Sequence, residues 1–487
     1  MVEAWVRPDE VEQVVRRAEE EGVVLVRFLY CDTGGVIRGK AVSRANLEDA
    51  LRSGVGLTVA MAAMNPFDQL QTVEGMGPVG EVRLAADPST YTPLPYAPGQ
   101  AALLCDLERL DGQPWEAGAR EFARRMVARA AERGIRFEAS FENEFSLAVA
   151  EPDGAGGERY RPYDRTLCFS SAAMTEAGDF AVELVRAFEA QGLTVQQYYP
   201  ELGHGQHELS LRHAPLLRAA DNQIRARETI RSVAWRMGLR ASLAPKPFPD
   251  QAGNGAHVHI SAWELEEPTL PSGSEPAGRR LSALPGQPAG GSGRNLFYDP
   301  DDRYRLSRLG YAFIAGVLAH LPALVALTAP TVNSYRRLGP RSWSSAYACY
   351  GPDNREAAVR IASPFRAHPE GSVNVEIKAV DNGCNPYLAL GAIVAAGLDG
   401  IERGLDPGEP VLVDPDSLDE EERRARGILR LPASLEEALD RLAADTLLRE
   451  ALGPQLYAAF DAVKRSEAAA LAGAPEGEDC RRYFGVF

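Results

Sequence analysis

Lysine is almost missing from this chain: only Lys40, Lys246, Lys378 and Lys464 stand among its 52 basic residues, and the rest are arginine. A lysine kept against so strong a preference has a local reason to be there. The six cysteines, at 31, 105, 168, 349, 384 and 480, form no CxxC pair, which excludes a zinc ribbon and a disulfide framework and fits a reducing cytoplasm. No HExxH or GxSxG element occurs, so those two chemistries lack their signatures. The opening MVEAWVRPDEVEQVVRRAEEEG reads as an acidic amphipathic helix without the apolar core of a signal peptide. A net charge of −16 argues against nucleic acid or anionic membrane as the main partner. The longest apolar run, Tyr311 to Pro330, is long enough to span a bilayer, yet it holds His320 and Pro322 and reads as the core helix of a large enzyme.

What is present is ordinary in bulk and unusual in arrangement. With 487 residues, 45% hydrophobic and 25% charged, the chain is long enough for a large globular domain and a smaller one. VVLVRFLY (23–30) and GVIRGKAV (35–42) are predicted strands joined by the turn CDTGG. They point to a β-rich N-terminal domain over 1–105, with the Pro/Gly-rich TPLPYAPGQ near its end and a larger domain over 106–487. GAREFARRMVARAAERGI (118–135) is a predicted helix stopped by Gly134. Residues 264–294, rich in Gly, Pro and Ser, read as a flexible surface insertion.

Four separate segments share one design. In RFEASFENEFSL, alternation puts Phe137, Phe141 and Phe145 on one strand face and Glu142 and Glu144 on the other. GQHELSL sets Glu208 opposite Leu209 and Leu211, with Glu201 just upstream; GAHVHIS sets His257, His259 and Ser261 opposite Val258 and Ile260. SVNVEIKA sets Asn374, Glu376 and Lys378 opposite Val373, Val375 and Ile377. One such strand alone is simply amphipathic, with its polar face in water. Four together crowd carboxylates that repel unless cations neutralise them. An oxygen-rich set with an imidazole suits Mg2+ or Mn2+ better than zinc.

A cluster of arginines follows: Arg336, Arg337, Arg341, Arg355 and Arg360, in NSYRRLGPRSWSSAYACYGPDNREAAVRIA. Arginine beside divalent cations is what phosphoryl transfer needs to balance the charge on the migrating group. A P-loop alternative, GGVIRGKA at 34–41, lacks the metal-binding Ser/Thr at Ala41 and lies between strands, so it is set aside.

FENEF, ELGHGQHE, KPFPDQAGNGAHVHIS, TAPTVNSYRRL, DNREAAVRI and NPYLALGAIVAAGLDGIE, in this order over most of the chain, resemble the glutamine synthetase superfamily. The resemblance implies an α+β fold: an N-terminal β-grasp domain and a catalytic domain whose curved antiparallel sheet is lined by metal ligands. It implies ATP as cosubstrate, two or more Mg2+ or Mn2+ ions, and a homo-oligomeric ring, hexamer or dodecamer, with active sites between subunits. Carried over by position, one metal site falls on Glu144, Glu201 and Glu208 and the other on Glu142, His257 and Glu376. His259, Ser261 and Arg355 match positions near the nucleotide, and Arg337, Arg355 and Arg360 match catalytic arginines. The implied chemistry is transfer of the γ-phosphate to a carboxylate, then displacement of phosphate by an amine.

The substrate-binding positions the resemblance implies are Gly253, Arg337, Trp343 and Lys378, and the departures fall on this side, at Ala252, Trp343 and Lys378. Ammonia-using members carry a glutamate six residues after the arginine matching Arg337; here it is Trp343. The N-terminal aspartate that helps hold ammonium has no clear counterpart in GVGLTVAMAAMNPFDQ. An indole offers an apolar, cation-attracting wall instead of a base. Lys378 stands where the family grips the amino-acid carboxylate with an arginine, and Ala252 replaces an asparagine before Gly253. The expectation is therefore a ligase joining the γ-carboxylate of glutamate to an organic amine. A ligase for another carboxylic acid, an ordinary glutamine synthetase and a non-catalytic member are the alternatives.

Overall fold

The computed structural model describes residues 7–154, 157–265 and 293–487. Almost all of the insertion expected over 264–294 lies outside the described residues. The two predicted N-terminal strands are Leu25–Cys31 and Ile37–Ser43, paired antiparallel around the CDTGG turn. Leu25–Cys31 also runs parallel to Gln100–Glu108, which pairs in turn with Glu81–Ala86. This mixed sheet is the N-terminal domain, and its strand Gln100–Glu108 spans the boundary expected at residue 105. The helix Pro8–Glu20 closes it by burying Val11, Val14 and Ala18, a one-sided apolar stripe, against Val26, Phe28 and Leu103.

The larger unit is built on one curved, nearly closed sheet. Its successive strands are Leu429–Arg430, Tyr347–Pro352, Ala357–Ile361, Val375–Ile377, Ala256–Glu264, Ile135–Pro152, Gln206–Leu211 and Val195–Pro200. Pairing along this path is antiparallel except between Tyr347–Pro352 and Ala357–Ile361. Alternation delivers one face to the core: Phe137, Phe141, Val258, Ile260, Val375 and Ile377 are all buried there.

Beneath that face lie the helices Ala119–Ala131, Arg308–Thr328 and Pro386–Arg403. Arg308–Thr328 carries most of the apolar run noted above, and it is a core helix with Phe313, Ile314, Val317, Leu321 and Leu324 fully buried. It crosses Pro386–Arg403 where Gly316 meets Gly400, with no room for a Cβ on either. Burial on nearly all sides is why this segment is apolar all round.

Charge ties the two units together. Buried Arg120 donates to Asp106 (2.8 Å) and Asp87 (2.7 Å) of the first unit and to Asp221 (3.0 Å) of the second. Lys464, on the helix Pro454–Leu471, is fully buried; it donates to Gly34 O (3.0 Å) and to the equally buried Glu467 (2.8 Å).

Candidate active site

The sheet's other face opens onto a cavity of about 1500 Å³, and every residue singled out from the sequence for metal, nucleotide, catalysis or substrate lines it. Cross-strand register explains how residues far apart in sequence meet, because directly opposed side chains sit about 5 Å apart at Cβ. Glu144 faces Glu208, Glu142 faces His257, and Glu376 faces both His259 and Arg360. Glu201 follows the edge strand, its carboxylate accepting the N–H of Leu202 at 3.0 Å.

The cluster has two electrostatic halves. Around Glu376, cations dominate: Lys378 Nζ donates at 3.2 Å, Arg360 Nε donates to the other oxygen, and His257 Nδ1 lies 3.4 Å away. Burial works against ionisation of Glu376, yet Lys378, both histidines and Arg360 hold its carboxyl far below the usual range. Glu142 is likewise held low against burial by His259 and His257. His259 Nε2 lies 3.1 Å from Glu142, while His259 Nδ1–H is donated to Asn374 Oδ1 at 2.8 Å. Those carboxylates, against the cost of burial, push His259 up to about 9, whereas burial and Lys378 push His257 down.

Around Glu144 the balance reverses. Burial, then Glu142 and Glu144, push Glu208 well above the ordinary carboxylate range, although the Tyr199 hydroxyl donates to it. Burial and Glu144 push Glu201 up to about 7. Glu144 is fixed by the N–H of Gly255 (2.8 Å) and the amide of Gln206 (3.1 Å). Carboxylates held against their preference for protonation are a donor set for a hard cation. Glu142, His259 and Glu376 also offer one ligand atom each within 4.8 Å of one another. The sequence assigned His257 to that second group; His257 faces the same two carboxylates at 3.6 and 3.4 Å, so both histidines border it. The residues therefore fit divalent cations at both halves.

The arginines divide. Arg337 is buried; its Nη2 donates to His257 Nε2 (3.1 Å) and Lys378 O (3.0 Å), and its Nη1 has no partner among the described residues. Arg355 and Arg360 line the cavity, as does Arg341, which pairs with Asp416. Arg336 leaves the cluster that its sequence neighbours form: its guanidinium goes to Asp479 at 2.6 Å, on the C-terminal helix Glu478–Phe484. Gly253 serves packing, because a Cβ there would meet Pro245 O at 2.6 Å and the Arg337 side chain at 2.9 Å. Ser261 Oγ accepts the Trp263 indole N–H at 2.9 Å.

At the mouth, Trp343 is 52% exposed in a segment where Arg341, Trp343 and Ser345 all adopt left-handed backbone. The segment is pinned by Ser344 Oγ donating to Arg337 O (2.6 Å) and by the Trp343 N–H donated to Glu356 (2.9 Å). Sequence reasoning missed Glu356, Tyr199 and Gln206, and it placed Asn374 on the polar strand face without a partner. Asn374 shares a strand face with Glu376, and Tyr199 lies two residues before Glu201, so periodicity held a signal for both. Gln206 carried it too, two residues before Glu208 on one strand; Glu356 carried none.

Residues 10–115 match the glutamine synthetase N-terminal domain, and residues 116–292 and 289–483 match the glutamine synthetase catalytic domain. A gamma-glutamylpolyamine synthetase of Streptomyces coelicolor is 37% identical over 96% of this chain and 95% of its own. A glutamine synthetase of Halobacterium salinarum is 31% identical over 98% and 97%. Among solved structures, a novel glutamine synthase homolog superposes with a TM-score of 0.80 at 35% identity, covering 96% of this chain and 99% of that one. A GmaS/ADP complex superposes with a TM-score of 0.79 at 30% identity, over 96% and 98%.

Proposed function

From the premise that this chain belongs to the glutamine synthetase family of ATP-dependent ligases, we propose that it joins the γ-carboxylate of glutamate to an organic amine. The carrying observation is Trp343, its backbone N–H held by Glu356 and its side chain lining the cavity, at the position where the family resemblance implies a carboxylate in ammonia-using members. Without that carboxylate the mouth favours an amine with carbon attached over ammonium. The Streptomyces relative, named for polyamines, supports the same reading.

The residues divide the labour. Glu144, Glu201 and Glu208, and Glu142, His257 and Glu376, would hold two divalent cations, Mg2+ or Mn2+, which when bound supply charge neutralisation at the phosphates. His259, Ser261 and Arg355 border the nucleotide. Arg337, whose Nη1 has no partner among the described residues, Arg355 and Arg360 balance charge as the γ-phosphate passes to a carboxylate oxygen. The amine nitrogen then bonds to the acyl carbon, phosphate leaves with the C–O electron pair, and nitrogen loses a proton. The assembly proposed is the family's homo-oligomeric ring.

A second reading has its own observation. Lys378 donates to Glu376, so the position where the family grips the amino-acid carboxylate is engaged within the chain. That favours a carboxylic acid other than glutamate. An ADP-release screen crossing acids with amines, with Mg2+ or Mn2+, separates the two. Glutamate with a polyamine or alkylamine is expected to turn over, and ammonia poorly. Efficient glutamine formation at millimolar ammonium would sink the organic-amine reading, and Trp343→Glu is expected to raise ammonia use.

A further inference from the structure

We propose that Phe169 is a specificity-determining wall that holds the carbon tail of the amine across from Trp343; this rests on the ligase reading above. Phe169 lines the cavity, is 58% exposed, and has a backbone φ of 55°. A bulky side chain in the left-handed region is disfavoured, and such residues persist where surroundings or function hold them. Two contacts fix this one. Its N–H is donated to Pro200 O at 3.1 Å, and its ring meets Tyr199 edge-on, centroids 5.3 Å apart at 81°.

Tyr199 in turn donates its hydroxyl to Glu208, which places the ring beside the carboxylate cluster. Leu202, 62% exposed, lines the same cavity directly after Glu201. The cavity wall thus includes Phe169, Leu202 and Trp343, three large apolar side chains exposed to water, two of them on left-handed backbone. A ring held there buries little within its own chain, and a ligand that covers it recovers that apolar area. None of the three side chains carries charge, so the wall recognises methylenes or an aromatic ring. The chemistry points to a primary amine with an extended carbon tail, the nitrogen inside and the tail passing between Phe169 and Trp343.

The test uses the full-length protein with ATP, Mg2+ and L-glutamate, comparing n-butylamine with hydroxylamine, which has no tail. Phe169→Gly removes the ring and suits the left-handed backbone, so the fold is expected to persist; a thermal melt within a few degrees of the parent checks this. The ratio of kcat/KM for butylamine to that for hydroxylamine is expected to fall about tenfold, mostly through KM. Phe169→Tyr is expected to keep the parent ratio. An unchanged ratio in Phe169→Gly, or an equal loss in Phe169→Tyr, overturns the wall. Absence of product from both nucleophiles in the parent protein instead overturns the glutamate-and-amine reading beneath it.

Discussion

The backbone N–H of Trp343 is donated to the carboxylate of Glu356 at 2.9 Å, so the exposed Trp343 segment is held by the residue next to Arg355. The Trp343 segment and the Arg355 loop, on opposite ends of the strand Tyr347–Pro352, are therefore tied by this one hydrogen bond. Glu356→Ala is expected to free the Trp343 segment and raise the KM for amine roughly tenfold, the scale of a lost charge-assisted hydrogen bond. Glu356→Gln, which still accepts, is expected to cost less. Steady-state kinetics with saturating ATP checks both, and equal KM values in parent and alanine variant would remove Glu356 from amine positioning.

Divalent cations are expected to bind more weakly as pH falls through about 7, the value to which burial and Glu144 push Glu201. Binding requires the carboxylate form, so protons compete with the cation and are released when it binds. The sign for stability is opposite in the metal-free protein. A carboxyl raised above its unfolded value is a penalty above the folded pKa, and the penalty disappears as pH falls toward the unfolded pKa. Metal-free protein should melt higher at pH 6 than at pH 8 as far as this group contributes, and Mg2+ should raise the melting temperature more at pH 8. Calorimetry in two buffers of different ionisation enthalpy measures the proton release.

Lys464→Ala is expected to destabilise the protein by about 3–5 kcal/mol, because it strands the fully buried Glu467 without its cation. Changing Lys464 to Met and Glu467 to Leu together should recover a large share. A double-mutant cycle by chemical denaturation reads both.

Gly316→Ala and Gly400→Ala each set a methyl into the partner helix backbone. Overpacking of this kind costs on the order of 1–3 kcal/mol. The expected readout is a lowered unfolding midpoint with the amine KM unchanged, since the crossing lies under the sheet and away from the cavity.

Much of the site could be read from the chain because period two is strict. A strand that sends Phe137 and Phe141 to the core must send Glu142 and Glu144 the other way, and the same holds for Val258 against His257. What alternation leaves open is partnership. That Glu376 lies between His259 and Arg360 depends on which strands are neighbours, which no single segment encodes. Arg336 and Arg337 are adjacent, yet one reaches Asp479 and the other His257, because successive side chains on a short helix point in different directions. Lys378 stood out as a rare lysine, and its partner within the chain, Glu376, is only two residues away.

The apolar helix Arg308–Thr328 has a consequence for synthesis. Its covering partner, Pro386–Arg403, leaves the ribosome later, so a growing chain carries a naked greasy rod until that partner arrives. Exposed apolar surface of this kind invites aggregation and chaperone capture. Growth temperature and translation speed, more than anything at the cavity, should govern how much of this ligase is recovered in soluble form.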